Sequence, residues 1–300
     1  MGRIIVIGSS NTDMVVKSLH IPAAGETVIG DNFMVASGGK GANQAVAAKR
    51  LGGDVVFVTK LGRDFFGDNT FDSLVGEGFD PDYILRDDAA ASGVALINVD
   101  SKGENSIVVA PGANYSFTEQ DVDSLRGLLE TADYVLLQLE IPMDIVRRIV
   151  DMAYLCGVKV ILNPAPAAHL DDELLSKLYM ITPNETECMF LCGCAEKDIC
   201  ACAGKLLDKG VKNVIVTLGG KGSLLLNEEG AVTVPACKVK AVDTTAAGDT
   251  YNGALCVALA RGMSIVDAIG FATKAAAISV TRPGAQPSVP TLDEVESFKF

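Results

Sequence analysis

The chain has 300 residues, 49% of them hydrophobic, which is enough to bury a sizeable core in one large domain. Its formal net charge is −13. An acidic chain is a poor match for nucleic acids or anionic membranes, because phosphate groups bind to basic surfaces, so we expect neither as a partner.

Nothing in the sequence indicates export or insertion into a bilayer. The N-terminal segment MGRIIVIGSSNTD reaches polar residues too soon for a secretory signal. No segment approaches the roughly 18 consecutive apolar residues that would span a bilayer. We therefore expect a cytoplasmic protein.

Continuous apolar segments with β-branched residues predict buried strands, and helical patterns lie between most of them. The predicted strands are 3–9, 55–62, 133–140, 159–166, 179–184 and 213–220. The predicted helices are 43–53, 118–132, 143–157, 197–210, 249–262 and 264–281. Buried strands that alternate with helices predict an α/β fold, with a central, mostly parallel sheet and helices on both of its faces.

Two segments interrupt this alternation. Residues 14–39 and 92–112 each predict a pair of antiparallel strands, the second with a turn at 100–103. Both segments flank candidate site residues, so we expect them to form a small β-sheet lid over the strand ends. No linker separates independent units, and we predict a single domain over residues 1–300.

Five of the eight cysteines lie between Cys188 and Cys202. Their spacing is not that of paired C-x-x-C motifs, and the two histidines of the chain, His20 and His169, are distant in sequence. We predict reduced thiols that pack in the core as small hydrophobic side chains, rather than a metal site.

Acids, amides and glycines follow several of the predicted strands. In a parallel sheet, ligands bind beyond the carboxyl ends of the strands, so these groups should converge there. They are Asn11, Asp13, the loop 38–43, Glu140, Asn184, Glu185, Glu187, Thr217, Gly219, Gly220, Asp243, Thr245 and Asp249. Such a set suits a substrate with several hydroxyl groups and a phosphate–metal ligand.

The segment AVDTTAAGD (241–249) places small residues directly before an acid and a long apolar helix pattern. Small residues let the backbone approach a ligand, and a helix N-terminus presents unpaired N–H groups. Asp249 is therefore either a helix cap or a base. The sequence has no Walker A motif, no G-x-G-x-x-G after a strand, no H-E-x-x-H and no G-x-S-x-G.

Several motifs in this order resemble the PfkB family of carbohydrate kinases over nearly the whole chain. The most specific are SGGKGAN (37–43), TPNETE (182–187) and AVDTTAAGD (241–249). GSSNTD (8–13), QLEIP (138–142), NPAPA (163–167), VTLGGKG (216–222) and TRPGAQPSVP (281–290) add to the resemblance.

The resemblance implies an enzyme that uses ATP to phosphorylate the 5-hydroxyl of D-ribose. Asp249 would be the general base that accepts the hydroxyl proton. Backbone N–H groups of Ala246, Ala247 and Gly248 would form an anion hole, over 246–249, for the transferred phosphoryl group. Fixed N–H dipoles of this kind stabilise developing charge without reorganisation.

The resemblance also implies the binding residues for each ligand. The sugar set is Asn11, Asp13, Gly39, Lys40, Asn43 and Glu140, together with Asp249. The nucleotide set is Asn184, Thr217, Gly219, Gly222 and Gly248. Asn184 and Glu187 would hold Mg²⁺, partly through water. The set for K⁺ as an activating cation is Asp243, Thr245, Val280, Gly284 and Ser288.

Structural readings of the same residues remain open. Asn184 and Glu187 also fit a helix cap with an exposed acid in the first turn, and Asp243 also fits a turn. The segment around Thr217 also fits an ordinary hairpin. Pro283 lies beside the potassium set and lacks an N–H but keeps its carbonyl, so it does not exclude the site.

Alternative functions differ in substrate or in chemistry. A related kinase could act on deoxyribose, a ketohexose, 2-keto-3-deoxygluconate or a nucleoside. A sugar sensor on the same fold would need neither Asp249 nor the N-x-x-E element, so their presence favours an enzyme. The apolar lid segments favour a homodimer through the lid, because exposed strand edges need a partner.

Overall fold

The fold is given by a computed structural model that describes residues 1–194 and 198–299. In chain order, the strands are β1 (Arg3–Ile7), β2 (Asn11–Lys17), β3 (Phe33–Gly38), β4 (Asp54–Gly62), β5 (Ile84–Asp87), β6 (Gly93–Val99), β7 (Asn105–Ala110), β8 (Tyr134–Leu137), β9 (Lys159–Leu162), β10 (Met180–Ile181), β11 (Asn213–Thr217), β12 (Ser223–Asn227) and β13 (Gly230–Val234). In chain order, the α-helices are α1 (Lys40–Arg50), α2 (Phe65–Gly76), α3 (Glu119–Ser124), α4 (Arg126–Leu129), α5 (Met143–Leu155), α6 (Asp172–Ser176), α7 (Glu185–Cys192), α8 (Ile199–Asp208), α9 (Ala247–Ala260), α10 (Ile265–Ser279) and α11 (Leu292–Ser297). No helix in the described ranges is long and apolar enough to cross a membrane.

Nine strands of the described chain form one large sheet in the order β13-β12-β11-β10-β9-β8-β1-β4-β5. The strands from β11 to β5 pair in parallel, whereas β12 pairs antiparallel with both of its neighbours. All the strands predicted from continuous apolar segments belong to this sheet. The predicted α/β fold with a mostly parallel sheet is therefore confirmed.

Alternate side chains of the central strands enter two separate cores. Ile4 and Val6 of β1 pack with α1, α2, α9, α10 and α11, while Ile5 and Ile7 pack with the helices from α3 to α8. This two-residue period follows from the pleat of a strand. Helices cover both faces of the sheet, as predicted.

A second, four-stranded sheet in the described chain has the order β3-β2-β6-β7. The pairs β2–β3 and β6–β7 are antiparallel, as the sequence predicts, and a parallel pairing of β2 with β6 joins them. The predicted turn between β6 and β7 forms as well: the Asp100 carbonyl accepts the Gly103 N–H at 3.0 Å, and the Asp100 carboxylate accepts the Lys102 N–H at 2.8 Å. We call this second sheet the small sheet.

The prediction of a single helix over 118–132 is wrong in one respect. The predicted cap is present, because the Thr118 side chain accepts the Asp121 N–H at 3.2 Å. The helical ladder then breaks where the Leu125 N–H donates to the Val122 carbonyl, three residues back rather than four. The segment therefore forms two helices, α3 and α4. The predicted helix 197–210 corresponds to α8, and its first residue, Lys197, lies outside the described residues.

Five of the six predicted strands, all but β4, are shorter than their apolar segments, and the ends of β8 and β10 bear on the site. The strand predicted over 133–140 ends at Leu137, so Glu140 lies beyond it, and β10 has only two residues. Proline lacks an N–H and cannot extend a ladder. Pro183 follows β10 and cannot donate to a neighbouring strand, whereas after β8 the Leu139 N–H donates to the Ala165 carbonyl at 3.0 Å and the regular pairing ends.

All eight cysteines are free thiols in this structure. The prediction that the cluster packs in the core holds for Cys188 and Cys202, which are buried. It is wrong for Cys200, which is exposed on α8, and only partly right for Cys192 and Cys194, which are half-buried.

Candidate active site

Polar side chains gather beyond the carboxyl ends of the parallel strands, the edge at which α/β sheets bind ligands. They include Ser9 after β1, Glu140 after β8, Asn163 after β9, Asn184 after β10 and Thr217 at the end of β11. Helix α1 meets the same edge closely: a Cβ placed on Gly41 would lie 2.5 Å from the Ser9 nitrogen. Only glycine allows this approach.

Asp249 lies in the first turn of α9 and is only 7% exposed. Asn43 Nδ2 and Gln44 Nε2 each donate to one of its carboxylate oxygens, both at 3.0 Å. Burial raises the pKa of Asp249 above its ordinary value, although the Lys40 ammonium and the two amide donors oppose the rise. Asp249 is therefore not the helix cap. That position belongs to Ala246, which has no capping side chain.

The N-terminus of α9 differs in one detail from the predicted anion hole. Ala246 has φ = 55°, a left-handed conformation that starts the helix abruptly. The Ala247 N–H already donates to the Thr244 carbonyl at 3.2 Å, so it is not free in this structure. The Gly248 N–H has no acceptor among the described residues, and a Cβ on Gly248 would meet nothing within 4 Å. The Ala246 N–H likewise has no acceptor among the described residues, so Ala246 and Gly248 both keep open donors in the predicted set.

Asp13, Glu140 and Asp249 form a cluster of three carboxylates around Lys40. Burial, together with the charges of Glu140 and Asp249, raises the pKa of Asp13 to about 7, while Lys40 lowers it. Burial lowers the pKa of the Lys40 ammonium. The negative charges of the three carboxylates and of Glu187 raise it by more, so the pKa of Lys40 lies above its ordinary value. The raised pKa values of Asp13 and Asp249 mean that these two carboxyl groups bind protons more readily than exposed ones.

Replacing Asp13 by asparagine should stabilise the protein at alkaline pH. A carboxyl group whose pKa rises from 3.8 unfolded to about 7 folded contributes stability below pH 4 that is lost as the pH rises through 7. We expect Asp13→Asn to raise the melting temperature at pH 8 more than at pH 5, by calorimetry. The same change at Asp72, exposed on α2, is the control and should leave the difference between the two pH values unchanged. An equal effect of Asp13→Asn at both pH values would contradict the prediction.

Glu140 is held by the start of α1. Its Oε2 accepts the Ser9 hydroxyl at 2.6 Å and the Lys40 backbone N–H at 2.9 Å. Gly39 has φ = 89°, and a Cβ there would lie 2.8 Å from the Ser10 Cα, so no larger residue fits. The prediction of a loop over 38–43 is wrong beyond Gly39, because the helix begins at Lys40. Lys40 and Asn43 are therefore positioned by a rigid element.

Asn11 lines a cavity of about 170 Å³ together with Glu140. Asn114 and Tyr115, which are not among the residues predicted from the sequence, also line it. Asn114 is buried and clamps the chain after β1: its Nδ2 donates to Asn11 Oδ1 at 2.8 Å, and its Oδ1 accepts the Ser10 N–H at 2.9 Å. The sequence feature that could have identified Asn114 is its amide side chain in PGANYS, directly after a predicted strand.

A larger cavity of about 330 Å³ lies between the β11–β12 turn and helices α9 and α10. Four members of the predicted nucleotide set line it, namely Thr217, Gly219, Gly222 and Gly248. The fifth, Asn184, forms a bridge with Thr217 and does not line the cavity. The segment after β11 is a hairpin, as the structural interpretation predicts, and its role in nucleotide binding stays a prediction.

Asn184 and Glu187 form a reciprocal capping box at the start of α7. Asn184 Oδ1 accepts the Glu187 N–H at 2.8 Å, and Glu187 Oε2 accepts the Asn184 N–H at 2.9 Å. The helix-cap interpretation is therefore correct for Asn184, but the expectation of an exposed Glu187 is wrong, since its side chain is half-buried. Burial raises the pKa of Glu187, and the charges of Lys40 and Asp249 also act on it, so Glu187 faces the carboxylate cluster. The second carboxylate oxygen of Glu187 is not part of the capping box and can contact a ligand.

The residues predicted for a monovalent cation are tied together by hydrogen bonds. Asp243 Oδ1 accepts from the Thr245 N–H at 2.9 Å, and its Oδ2 accepts from the Gly284 N–H at 2.8 Å. The Val280 carbonyl accepts the Asp243 N–H at 3.2 Å. The buried Ser288 hydroxyl donates to the Ala285 carbonyl at 2.7 Å. The turn interpretation of Asp243 is thus correct, and the donor set consists of oxygen atoms.

A buried amide network behind Asp249 is the main feature that sequence reasoning missed. Its members are Gln44, Gln138, Asn163, Thr182, Asn252 and Gln286. Most follow a strand or lie on a helix that faces the strand ends. The available signal was a polar residue inside an otherwise small and apolar helix pattern, as in NQAVAA for Gln44.

The comparisons with known proteins agree on one family. The family model described as "pfkB family carbohydrate kinase" matches residues 1–292. The ribokinase of Haemophilus influenzae is 43% identical over 98% of this chain and 97% of its own length. The deoxyribokinase of Salmonella typhi is 38% identical over 98% of each chain. The structure of Arabidopsis thaliana ribokinase complexed with ribose and ATP is similar at a TM-score of 0.90, with 33% identity and 99% of each chain covered.

Proposed function

The chain belongs to the pfkB family of carbohydrate kinases, and we propose that it transfers the γ-phosphoryl group of ATP to the 5-hydroxyl of D-ribose. The products would be ribose 5-phosphate and ADP. It is a sugar kinase of the ribokinase-like fold. A cytoplasmic location and a single domain over residues 1–300 stay predictions.

The geometry around Asp249 carries this proposal. A buried carboxylate with a raised pKa lies one residue after the open Gly248 N–H, at the start of a long helix. One cavity ends at Gly248, and the second ends at Glu140, a member of the same carboxylate cluster. This arrangement supports a mechanism in which Asp249 meets a sugar hydroxyl on one side while a phosphate meets Gly248 on the other.

Asp249 would accept the proton of the attacking hydroxyl as its oxygen bonds to the γ-phosphorus. The bond from that phosphorus to the bridging oxygen of ATP breaks, and ADP takes the electron pair. The Gly248 N–H and the positive end of the α9 dipole would stabilise the charge on the transferred group. The Ala246 N–H would also contribute. The Ala247 N–H would contribute only after its hydrogen bond to the Thr244 carbonyl is replaced by one to the phosphoryl group.

The sugar would lie over the carboxylate cluster. Asp13 and Glu140 offer acceptors for hydroxyl groups, and Asn11 and Lys40 offer donors. Gly39 allows close approach of the backbone, and Asn43 also holds Asp249 in place. Sugar hydroxyls that donate to Asp13 would favour its ionised form, so binding would lower the pKa that burial has raised.

The nucleotide would occupy the larger cavity, beside Thr217, Gly219 and Gly222. Asn184 and Glu187 are the residues that would hold Mg²⁺, mainly through water, since each already commits one oxygen to the capping box. Two protein ligands with oxygen atoms suit Mg²⁺, because this ion keeps several of its water ligands. Bound Mg²⁺ would neutralise phosphate charge.

K⁺ would be held by the carboxylate and hydroxyl oxygens of Asp243, Thr245 and Ser288 and by the carbonyls of Val280 and Gly284. The all-oxygen set fits a hard cation. Because Thr244 lies between Asp243 and Thr245 and accepts the Ala247 N–H, this set adjoins the proposed anion hole. A bound cation would add positive charge near the start of α9.

Deoxyribose is the second candidate substrate, since a curated deoxyribokinase is 38% identical to this chain. The test is ADP release from Mg-ATP with K⁺, using D-ribose, 2-deoxyribose, fructose, 2-keto-3-deoxygluconate and adenosine in parallel. We expect the highest kcat/KM for ribose. Faster turnover of another substrate would show that this substrate, and not ribose, is the preferred one. Ribose binding in calorimetry without turnover of any substrate would favour a sensor.

We also propose a homodimer formed through the small sheet, which would act as the predicted lid. Large apolar side chains of this sheet are exposed, namely Phe33, Met34, Val35, Leu96, Ile107, Val108 and Val109. Burying such a surface is favourable. We expect a dimer by light scattering at micromolar protein, and a monomer for Val108→Asp. Leu155→Asp, at an exposed position of α5, is the control that should remain dimeric. A monomeric wild type would contradict the proposal.

A further inference from the structure

Gln44 is a fully buried side chain of α1 that touches Asp249 and belongs to neither ligand set. Its Nε2 donates to Asp249 Oδ1 and to Asn163 Oδ1, each at 3.0 Å. Its Oε1 accepts from Gln138 Nε2 at 2.7 Å. Both amide hydrogens of Gln44 are therefore committed, one of them to the proposed base.

The orientation of the Gln44 amide is fixed from the backbone of the sheet. Asn163 Nδ2 donates to the Thr182 carbonyl at 3.1 Å, and a backbone carbonyl can only accept. Asn163 must therefore present its oxygen to Gln44, and Gln44 must present its nitrogen to Asn163. A reversed Gln44 amide would place its oxygen against two acceptors, Asn163 Oδ1 and Asp249 Oδ1.

This orientation leaves one polar atom without a partner. Because Gln44 Oε1 needs a donor, Gln138 must turn its nitrogen toward it. The buried Gln138 Oε1 then has no hydrogen-bond partner among the described residues, and it lies against Gly8, where no Cβ would fit. An unpaired buried acceptor is destabilising, because it loses its hydrogen bond to water and gains none in the protein. The network thus keeps an N–H aimed at Asp249 at the expense of stability.

We propose that Gln44 is a positioning residue for the base: it fixes the plane of the Asp249 carboxylate and donates a hydrogen bond that favours the ionised form. Asn43 holds the other oxygen, so two rigid donors of α1 define the carboxylate. The charged groups that also act on it are Lys40 from α1, Asp13 from β2, Glu140 after β8 and Glu187 from α7. Of these, Lys40 alone favours the ionised form. The inference rests on the proposed function.

The test compares wild type, Gln44→Leu and Gln44→Glu for kcat and KM between pH 5 and 9. Loss of an N–H donor should lower kcat for ribose at pH 7 by about 10- to 100-fold, because base and hydroxyl lose alignment. The acid limb of the kcat profile should move to higher pH, with KM for ribose little changed. Gln44→Glu should move the limb further, since its carboxyl must share a proton with Asp249.

Gln120→Leu is the matched control, because Gln120 is an exposed glutamine of α3, and it should behave as wild type. If the Gln44 variants do not fold, Asn163→Leu removes the group that orients Gln44 without touching Asp249, and a smaller shift in the same direction is expected. An unchanged acid limb in every folded variant would overturn the inference.

A readout that does not need turnover separates this inference from the proposed function. Carboxyl carbons of ¹³C-labelled aspartate can be titrated by NMR, with Asp249→Asn to assign the resonance. Gln44→Leu should raise the titration midpoint of Asp249. If the wild type phosphorylates no sugar, the proposed function fails, and the midpoint still decides the role of Gln44. An unmoved midpoint would refute that role even in an active kinase.

Discussion

Asp249→Asn is expected to reduce kcat for D-ribose by about 100- to 10,000-fold, the range over which a positioned general base acts. An amide cannot accept the hydroxyl proton, and no other carboxylate lies in the first turn of α9. Ribose binding in calorimetry should change little, since the amide keeps one hydrogen-bond acceptor. The amide nitrogen would face either Asn43 or Gln44, which are both donors, so a modest loss of stability should accompany the change.

The control is Asp267→Asn. Asp267 is likewise the third residue of a helix, α10, but its side chain is exposed and paired with Ser264. Its variant should keep wild-type kcat. Thermal melts of both variants would separate loss of fold from loss of the base. If Asp249→Asn retained more than a tenth of wild-type kcat, the assignment of the base would be wrong.

Gly253→Ala is expected to lower both stability and activity. Gly253 lies where α9 crosses α1, and a Cβ there would lie 2.6 Å from the Gln44 carbonyl oxygen and 2.7 Å from the Ala47 Cβ. Over-packing of this kind typically destabilises by about 1–3 kcal/mol. Because α1 carries the donors and α9 the base, separating the helices by about 1 Å should also lower kcat by up to about 100-fold.

Gly270→Ala tests whether this effect comes from the helix crossing. Gly270 lies within α10, and a Cβ there would meet nothing within 4 Å. Alanine should therefore stabilise the helix by up to about 1 kcal/mol and leave kcat unchanged. The measurements are calorimetric melts and initial rates of both variants. Equal melting temperatures for Gly253→Ala and wild type would show that the crossing tolerates a methyl group.

The central fold could be predicted because burial on both faces leaves a strong local signal. RIIVI of β1 is apolar at nearly every position, since neighbours on each side bury it. The antiparallel pairs of the small sheet were also predictable, from a polar turn between apolar segments. The end of β8 and the break at Leu125 were not, because both depend on where single N–H groups find acceptors.

Local sequence patterns were enough to identify the main features of this protein: a parallel α/β sheet, an acid after small residues at a helix start, and glycines where the backbone must approach a ligand. These follow from composition and local spacing, which a chain carries without folding. How these groups act on one another depends on the folded chain. The tertiary structure buried Asp249, gathered three carboxylates around Lys40, occupied the Ala247 N–H, and oriented Gln44 through Asn163. Those properties depend on distances between residues far apart in sequence, such as Gln44 and Asp249, and no local pattern records them.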